Sequence, residues 1–318
     1  MDRRLRKAAP GKRFHMFGRR PDGRRIKNID PVVRITAYVM PQRCDAQIFL
    51  NHKTDMELLS DYIHKQADKG EKISHMTILI AAYVRAVSQN PYVNRFIMNK
   101  QIFARNNCTV SFNILKDPYH IDKGELVCKT KFDLSDTIYD VRDRIEAGVE
   151  RLRGENAEEG FLEKLLNLGF AVPGLATFLV GLIRLLDRYG LCPGALLDEL
   201  PFHVSMYVTN LASIRLHDVN HHIYNFGSVG LFFSLGTTEK IVVEENGKMR
   251  TKRFLPVGIT ADERICSGAH YAHFFTDMRR YMMHPELLEQ PPEKILFDEG
   301  LEYHQPKVKK EKPAEKAE

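Results

Sequence analysis

Apolar positions along the chain change their spacing from block to block, between every second residue and every third or fourth. This predicts strands and helices intermixed along the sequence. Residues 31–39 alternate in the manner of a strand. Thr54-Asp55-Met56-Glu57 then has capping-box spacing ahead of Leu58, Leu59, Tyr62 and Ile63. A helix is expected to start there, its hydroxyl and carboxylate satisfying amides that a first turn leaves unpaired. Ser74 caps a second helix through Val87, closed by Asn90-Pro91 because the residue before proline is pushed away from helical angles. Ile138, Val141, Ile145, Val149 and Leu152 recur at helical spacing and form the buried stripe of a third.

Further on, Phe202, Val204, Met206 and Val208 alternate with His203, Ser205, Tyr207 and Thr209, so a strand would send the two sets to opposite faces and put Thr209 with the polar set. The continuous apolar run 229–235 predicts an interior strand. Asn246-Gly247 supplies the positive φ angles of a tight hairpin between strands 241–244 and 248–253. Another strand is expected at 254–259, then a turn at 261–268. The last long helix opens near Ala269, buries Phe274, Phe275, Met278, Tyr281 and Met282, and ends before Pro285.

With 318 residues, 43% of them hydrophobic, the chain can bury a full core, and no repeat of solenoid period appears. The expected class is α/β or α+β, with one domain at 31–303. Five cysteines without a CxxC pair specify neither a disulfide framework nor a zinc cluster and fit a reducing cytoplasm. Residues 1–30 carry a surplus of eight positive charges and the rest a deficit of two, so the net charge of +6 comes from a basic arm. That arm is read as disordered, lacks the apolar segment of an export signal, and has pairs such as Arg19-Arg20 and Arg24-Arg25 that suit an anionic partner. Residues 304–318, rich in Lys, Glu, Pro and Ala, read as a disordered tail.

Within the domain lies an apolar helical insert, 161–200. Its core, 165–183, approaches the roughly 20 residues that cross a bilayer. Pro173 and three glycines break it and Arg184 closes it, so no transmembrane helix is expected. Two helices joined near Pro173-Gly174 would form a hairpin that roofs an acyl tunnel, touches a membrane interface, seals a trimer contact or, as the favoured expectation, packs into the core.

The order of elements and several strings resemble the catalytic domain of the 2-oxoacid dehydrogenase acyltransferases, which share the chloramphenicol acetyltransferase fold. The strings are Ser74-His75-Met76-Thr77 through Asn90-Pro91-Tyr92-Val93-Asn94, then Gly124-Glu125-Leu126-Val127, then Thr209-Asn210-Leu211-Ala212-Ser213. Asp262-Glu263-Arg264-Ile265-Cys266-Ser267-Gly268-Ala269 completes the set and is similar to the family's Asp-His-Arg, two apolar residues, Asp-Gly-Ala. The resemblance implies a mixed sheet with packed helices and a homotrimer whose active sites lie between subunits. It also implies a histidine that takes a proton from a thiol, and a hydroxyl in the Ser-Asn-Leu turn that steadies the tetrahedral oxyanion.

Carried onto this chain, the motif puts Glu263 in the histidine's place, Ser267 in that of the aspartate that braces the loop, and Thr209, beside Asn210, in that of the oxyanion hydroxyl. A glutamate is about 2 pK units less basic than a histidine, which costs on the order of 3 kcal/mol in thiol deprotonation, part of it recoverable by desolvation. His270 and His273 follow on the last helix as a less favoured replacement base. Cys266 occupies an apolar motif position and is expected to be buried rather than nucleophilic. His217, Asp218, His221 and His222 lack zinc-motif spacing and are read as surface residues, so no metal is assigned. With no lipoyl domain and no covalently bound lipoate expected, the reading is a coenzyme A-dependent acyltransferase working on an acyl thioester and a small acceptor. The alternative is a non-catalytic trimeric homologue that binds a ligand or serves as a scaffold.

Overall fold

In this computed structural model, residues 20–298 are described, apart from 28, 117–123 and 154–160. Of the predicted basic arm 1–30, residues 1–19 lie outside the described residues, as do residues 299–318, which include the predicted tail 304–318. In chain order come β1 (Gly23–Arg25), α1 (Pro31–Val39), β2 (Gln47–Asp55), α2 (Met56–Asp68), α3 (His75–Gln89), β3 (Arg95–Met98), β4 (Gln101–Arg105), β5 (Cys108–Leu115), β6 (Glu125–Phe132) and α4 (Ile138–Arg153). These are followed by α5 (Phe161–Ala171), α6 (Leu175–Arg188), α7 (Gly194–Glu199), β7 (Met206–Asn210), β8 (Leu231–Leu235), β9 (Glu239–Glu245), β10 (Lys248–Asp262) and α8 (Gly268–Met283).

A mixed sheet runs in the order β2-β10-β8-β7-β5-β6, with β9 folded onto β10. β7 is parallel to both β5 and β8, while the other pairings are antiparallel. Helices α2, α3, α4 and α8 supply the apolar residues that cover one face, where Leu59, Ile80, Val141 and Phe274 join Met206, Val208, Leu231 and Phe233 in one core. The other face carries a smaller cluster of Val204, Tyr207, Ile223, Val229 and Phe232. Because β8 is covered on both sides, all five of its residues are buried, which is why its sequence reads as one unbroken apolar run.

The local signals hold in most places. Ser74 Oγ accepts the Thr77 N–H at 3.0 Å and α3 ends at Asn90. Asn246 and Gly247 take φ of 54° and 71° in the β9–β10 hairpin. The stripe of α4 buries Ile138, Val141 and Ile145, with Val149 and Leu152 packed beside them.

Five expectations are corrected. Residues 31–39 are a helix and not a strand, because Asp30 accepts the Val32 N–H at 2.7 Å and Pro31 stands at the first helical position, where its missing N–H costs nothing. The cap of α2 is Asp55, which accepts the Glu57 N–H at 2.9 Å, rather than Thr54, which is a buried residue of β2. Segments 248–253 and 254–259 are one strand, β10, long enough to pair β9 at one end and β8 with β2 at the other. Residues 202–205 precede β7 as the end of a turn and a bend rather than strand, so the alternation holds only from Met206 onward.

The fifth concerns the arm, which does not stay outside the fold up to residue 30. β1 pairs with β4, Ile26 is buried, and Arg20 is buried against Asp22 and Asp187. Ion pairing and strand addition, invisible to a charge count, hold this stretch.

Insert 161–200 folds as the α5–α6 hairpin followed by α7, with its turn at Pro173-Gly174. Among its described side chains, packing into the body is seen at the base, where Ile183 and Leu186 meet Cys192, Leu197 and Leu200. Beyond that, Leu168, Phe170, Val172, Phe178 and Leu182 are exposed.

Candidate active site

β10 delivers the motif turn. Its last residue, Asp262, is buried and takes a bidentate grip from Arg264, whose Nε donates at 2.8 Å and Nη2 at 2.7 Å, while the Arg264 backbone N–H donates at 3.2 Å. Arg43 sits against the same carboxylate at 3.5 Å, and Arg264 Nη1 donates to the Met40 carbonyl at 2.8 Å. The Asp262 carbonyl accepts the Tyr271 hydroxyl at 2.7 Å, and the Glu263 N–H donates to the Ala46 carbonyl at 2.9 Å. The turn is thus braced by a carboxylate at the motif's first position, although Ser267 lacks the one expected near its end. Charge-assisted, paired bonds of this kind fix geometry more firmly than neutral ones.

From this brace Glu263 projects outward and is exposed, whereas Ile265 and Cys266 are buried as their apolar motif positions predicted. Burial pushes the Cys266 thiol up to about 12, which keeps it protonated and unsuited to nucleophilic work. Ser267 stands just ahead of α8, where its Oγ bonds His270 Nδ1 at 2.7 Å and no helix N–H. The His270 ring also leans on Tyr92 with centroids 4.5 Å apart. Partial burial, with Arg95 and His273 nearby, lowers the His270 pKa and favours the neutral imidazole.

Thr209 and Asn210 lie elsewhere. Thr209 is level with Ser234 on β8, which is level with Gly258 on β10. Glu263 comes five residues after Gly258, so the two candidates are separated by about 16 Å along the sheet and by two strand spacings of about 4.8 Å across it. The fold therefore gathers Glu263, Arg264, Ser267 and His270 at one end and leaves Thr209 and Asn210 toward the other. His221 and His222 stack on one another at 4.6 Å and His221 on Phe232 at 4.1 Å, on the sheet face away from α3 and α8. His217 lies 3.8 Å from Glu239, and the Asp218 backbone packs against Gly236.

Sequence reasoning missed a cavity of about 530 Å³ beside the motif turn. Arg43, Lys100, Arg184, Arg188 and Arg264 line it, with Asp187 the one carboxylate among the lining side chains. These cations come from four separate stretches of chain and form no motif, so spacing alone carried no trace of them. Their summed potential suits an anion.

Comparison with known proteins agrees with this architecture. Residues 203–289, which include Thr209, Glu263 and Ser267, match the model of the 2-oxoacid dehydrogenases acyltransferase (catalytic domain). No curated protein matches the sequence. A probable dihydrolipoamide acetyltransferase from Listeria monocytogenes superposes with a TM-score of 0.50 at 13% identity, over 81% of this chain and 93% of that one. A dihydrolipoamide acetyltransferase of Azotobacter vinelandii does so with a TM-score of 0.50 at 11% identity, over 83% and 93%. The fold is that of the acyltransferase catalytic core, as the motif strings implied.

Proposed function

We propose that the protein is an acyltransferase that moves an acyl group from a coenzyme A thioester to a small acceptor, with its active centre completed between copies of a homotrimer. The observation that carries this reading is the braced turn. Asp262, Arg264, Arg43 and Tyr271 hold a rigid bend whose exposed residue is Glu263, at the position the family gives to its base. The brace buries three charged groups, Asp262, Arg264 and Arg43, and so fixes where Glu263 leaves the turn.

The thiol's phosphates fit the adjoining cavity. Lys100, Arg184 and Arg188 are exposed at its rim, while Arg43 and Arg264, committed to Asp262, add positive potential from below. In the proposed step the Glu263 carboxylate takes the acceptor's proton as the acceptor attacks the thioester carbonyl. The hydroxyl of Thr209 of the partner subunit donates to the tetrahedral oxyanion, and collapse expels the coenzyme A thiolate, which recovers the proton from Glu263. Base and oxyanion donor of one protomer are too far apart to meet on one carbonyl carbon, hence the need for a second copy.

A second reading, a non-catalytic trimeric homologue, draws on the exposure of Glu263 where the family carries histidine. Thiol release from short and long acyl-coenzyme A separates the two. Turnover that falls at least a hundredfold in Glu263→Gln supports catalysis through the carboxylate. Turnover unchanged by that substitution removes Glu263 from the mechanism. Coenzyme A binding without turnover, or activity that appears only in Glu263→His, supports the second reading.

A further inference from the structure

The α5–α6 hairpin presents more large apolar side chains to solvent than α1, where Val32, Ile35, Tyr38 and Val39 are exposed. Residues 165–183 contain no charged side chain. In the described part of this stretch Phe170 is 75% exposed and Phe178 64%, and Leu168, Val172 and Leu182 are exposed with them. On α6 the partly covered positions are Leu175, Ala176, Leu179 and Ile183, one stripe at helical spacing, and Gly169 of α5 approaches Ala176 closely. The remaining circumference, Thr177, Phe178, Val180, Gly181, Leu182 and Leu185, faces outward. A helix that is apolar on nearly all its free circumference matches a surrounding solvent of hydrocarbon better than a protein partner, which covers one face.

We infer that this hairpin is a monotopic membrane anchor, inserted into one leaflet of an anionic bilayer. Three observations converge on that occupant. The apolar part of α6 beyond the packed Ile183, 175–182, is about 12 Å long at 1.5 Å per residue, within one ~15 Å leaflet of the ~30 Å hydrocarbon thickness. No described helix is long and apolar enough to cross a membrane, in keeping with an element that enters and returns through Pro173-Gly174. The uncharged stretch ends at Arg184, with Arg188 one turn later; both residues are exposed, Arg184 over the Phe226 ring and Arg188 donating to Asn99, and they would stand at the level of lipid phosphates. At this same level the hairpin is tied to the body: Ile183 and Leu186 pack on Cys192, Leu197 and Leu200, and Asp187 pairs with Arg20. A rigid base with an unsupported apolar tip is what insertion needs, since the body stays outside while the tip leaves water. Insertion would bring the mouth of the cation-lined cavity to the headgroup layer, because Arg184 and Arg188 belong to both. The inference stands apart from the transferase reading and does not depend on it.

The test uses the full chain and vesicles of phosphatidylcholine, with or without 30% phosphatidylglycerol as a chosen probe composition. Sedimentation with the anionic vesicles is expected, and Phe170→Asp with Phe178→Asp is expected to weaken it at least tenfold while circular dichroism and solution mass stay unchanged. Both side chains are exposed, so the fold does not depend on them. The protein has no tryptophan. Val172→Trp therefore gives a single reporter at the tip, expected to shift to the blue on vesicles and to be quenched by brominated acyl chains. Absence of wild-type sedimentation with either vesicle, binding unaffected by the double substitution, or a double variant whose solution mass drops to a smaller oligomer would each overturn the anchor. The last result would hand the surface to a second copy of the chain.

Discussion

Arg20 and Asp187, 167 residues apart in the chain, form a buried pair in which the guanidinium donates to the carboxylate at 2.5 Å and to the Asp187 carbonyl at 2.5 Å. His203 Nε2 lies 2.8 Å from the other carboxylate oxygen, so one side chain joins the N-terminal strap, the base of α6 and the approach to β7. Burial works to raise the Asp187 pKa, but the bonds from His203 and Arg20 outweigh it and hold the carboxyl below its ordinary range. A carboxylate whose folded pKa is depressed contributes stability above its unfolded value of about 3.9 and loses it as pH falls through the folded value. Asp187→Asn is expected to cost about 3 kcal/mol at pH 7, with the deficit shrinking only below the ordinary carboxylate range. Urea unfolding at pH 7 and pH 3 checks this, and an equal deficit at both pH values would contradict it.

The brace of the motif turn is expected to be a stability element separable from Glu263. Asp262→Asn withdraws the carboxylate that Arg264 and Arg43 share and should cost about 3–5 kcal/mol, whereas the exposed Glu263→Gln should stay within about 0.5 kcal/mol of wild type. Denaturant midpoints of the two variants measured side by side decide it. Similar losses would mean that Glu263 is also held in place.

Gly227 has φ of +84°, and a Cβ there would lie 2.3 Å from the Phe202 carbonyl oxygen. Gly227→Ala thus combines left-handed strain with a backbone clash and should destabilise by more than about 2 kcal/mol. Gly247→Ala serves as the control. Its φ is +71° with open space around the added carbon, so about 1 kcal/mol from backbone strain alone is expected. Thermal melting that ranks the two the other way would refute the assignment.

Of the five thiols, Cys44 is exposed and the other four are buried. Burial pushes Cys108 up to about 12 and Cys192 up to about 11. A thiol reagent is expected to modify one equivalent in the native protein at pH 8 and five after denaturation. Peptide mapping should place the native label on Cys44, and native labelling of Cys266 would show that the motif turn opens.

Elements set by chemistry within a few residues were legible in the sequence. The Ser74 cap, the Asn90-Pro91 stop, the Asn246-Gly247 hairpin and the burial of Ile265 and Cys266 each follow from a rule that spans one turn. Residues 31–39 show how such a rule fails when two compete. Alternating side chains point to a strand, but Asp30 and Pro31 set up a helical first turn, and α1, with only Ala37 buried, has little tertiary packing to override them.

The sequence by itself therefore determined the class of fold, the motif turn and the residue at its tip, because those rest on local spacing and on a string of neighbours. Tertiary structure decided the rest: that Asp262 braces the turn in place of a carboxylate at 267, that Glu263 and Thr209 lie at different ends of the sheet, and that Arg43, Lys100, Arg184 and Arg188 share one cavity. It also decided that an apolar stretch written like a core element stands in the open. Each of these depends on which remote segments pack together, and the energy of such contacts belongs to pairs of residues that no local window contains.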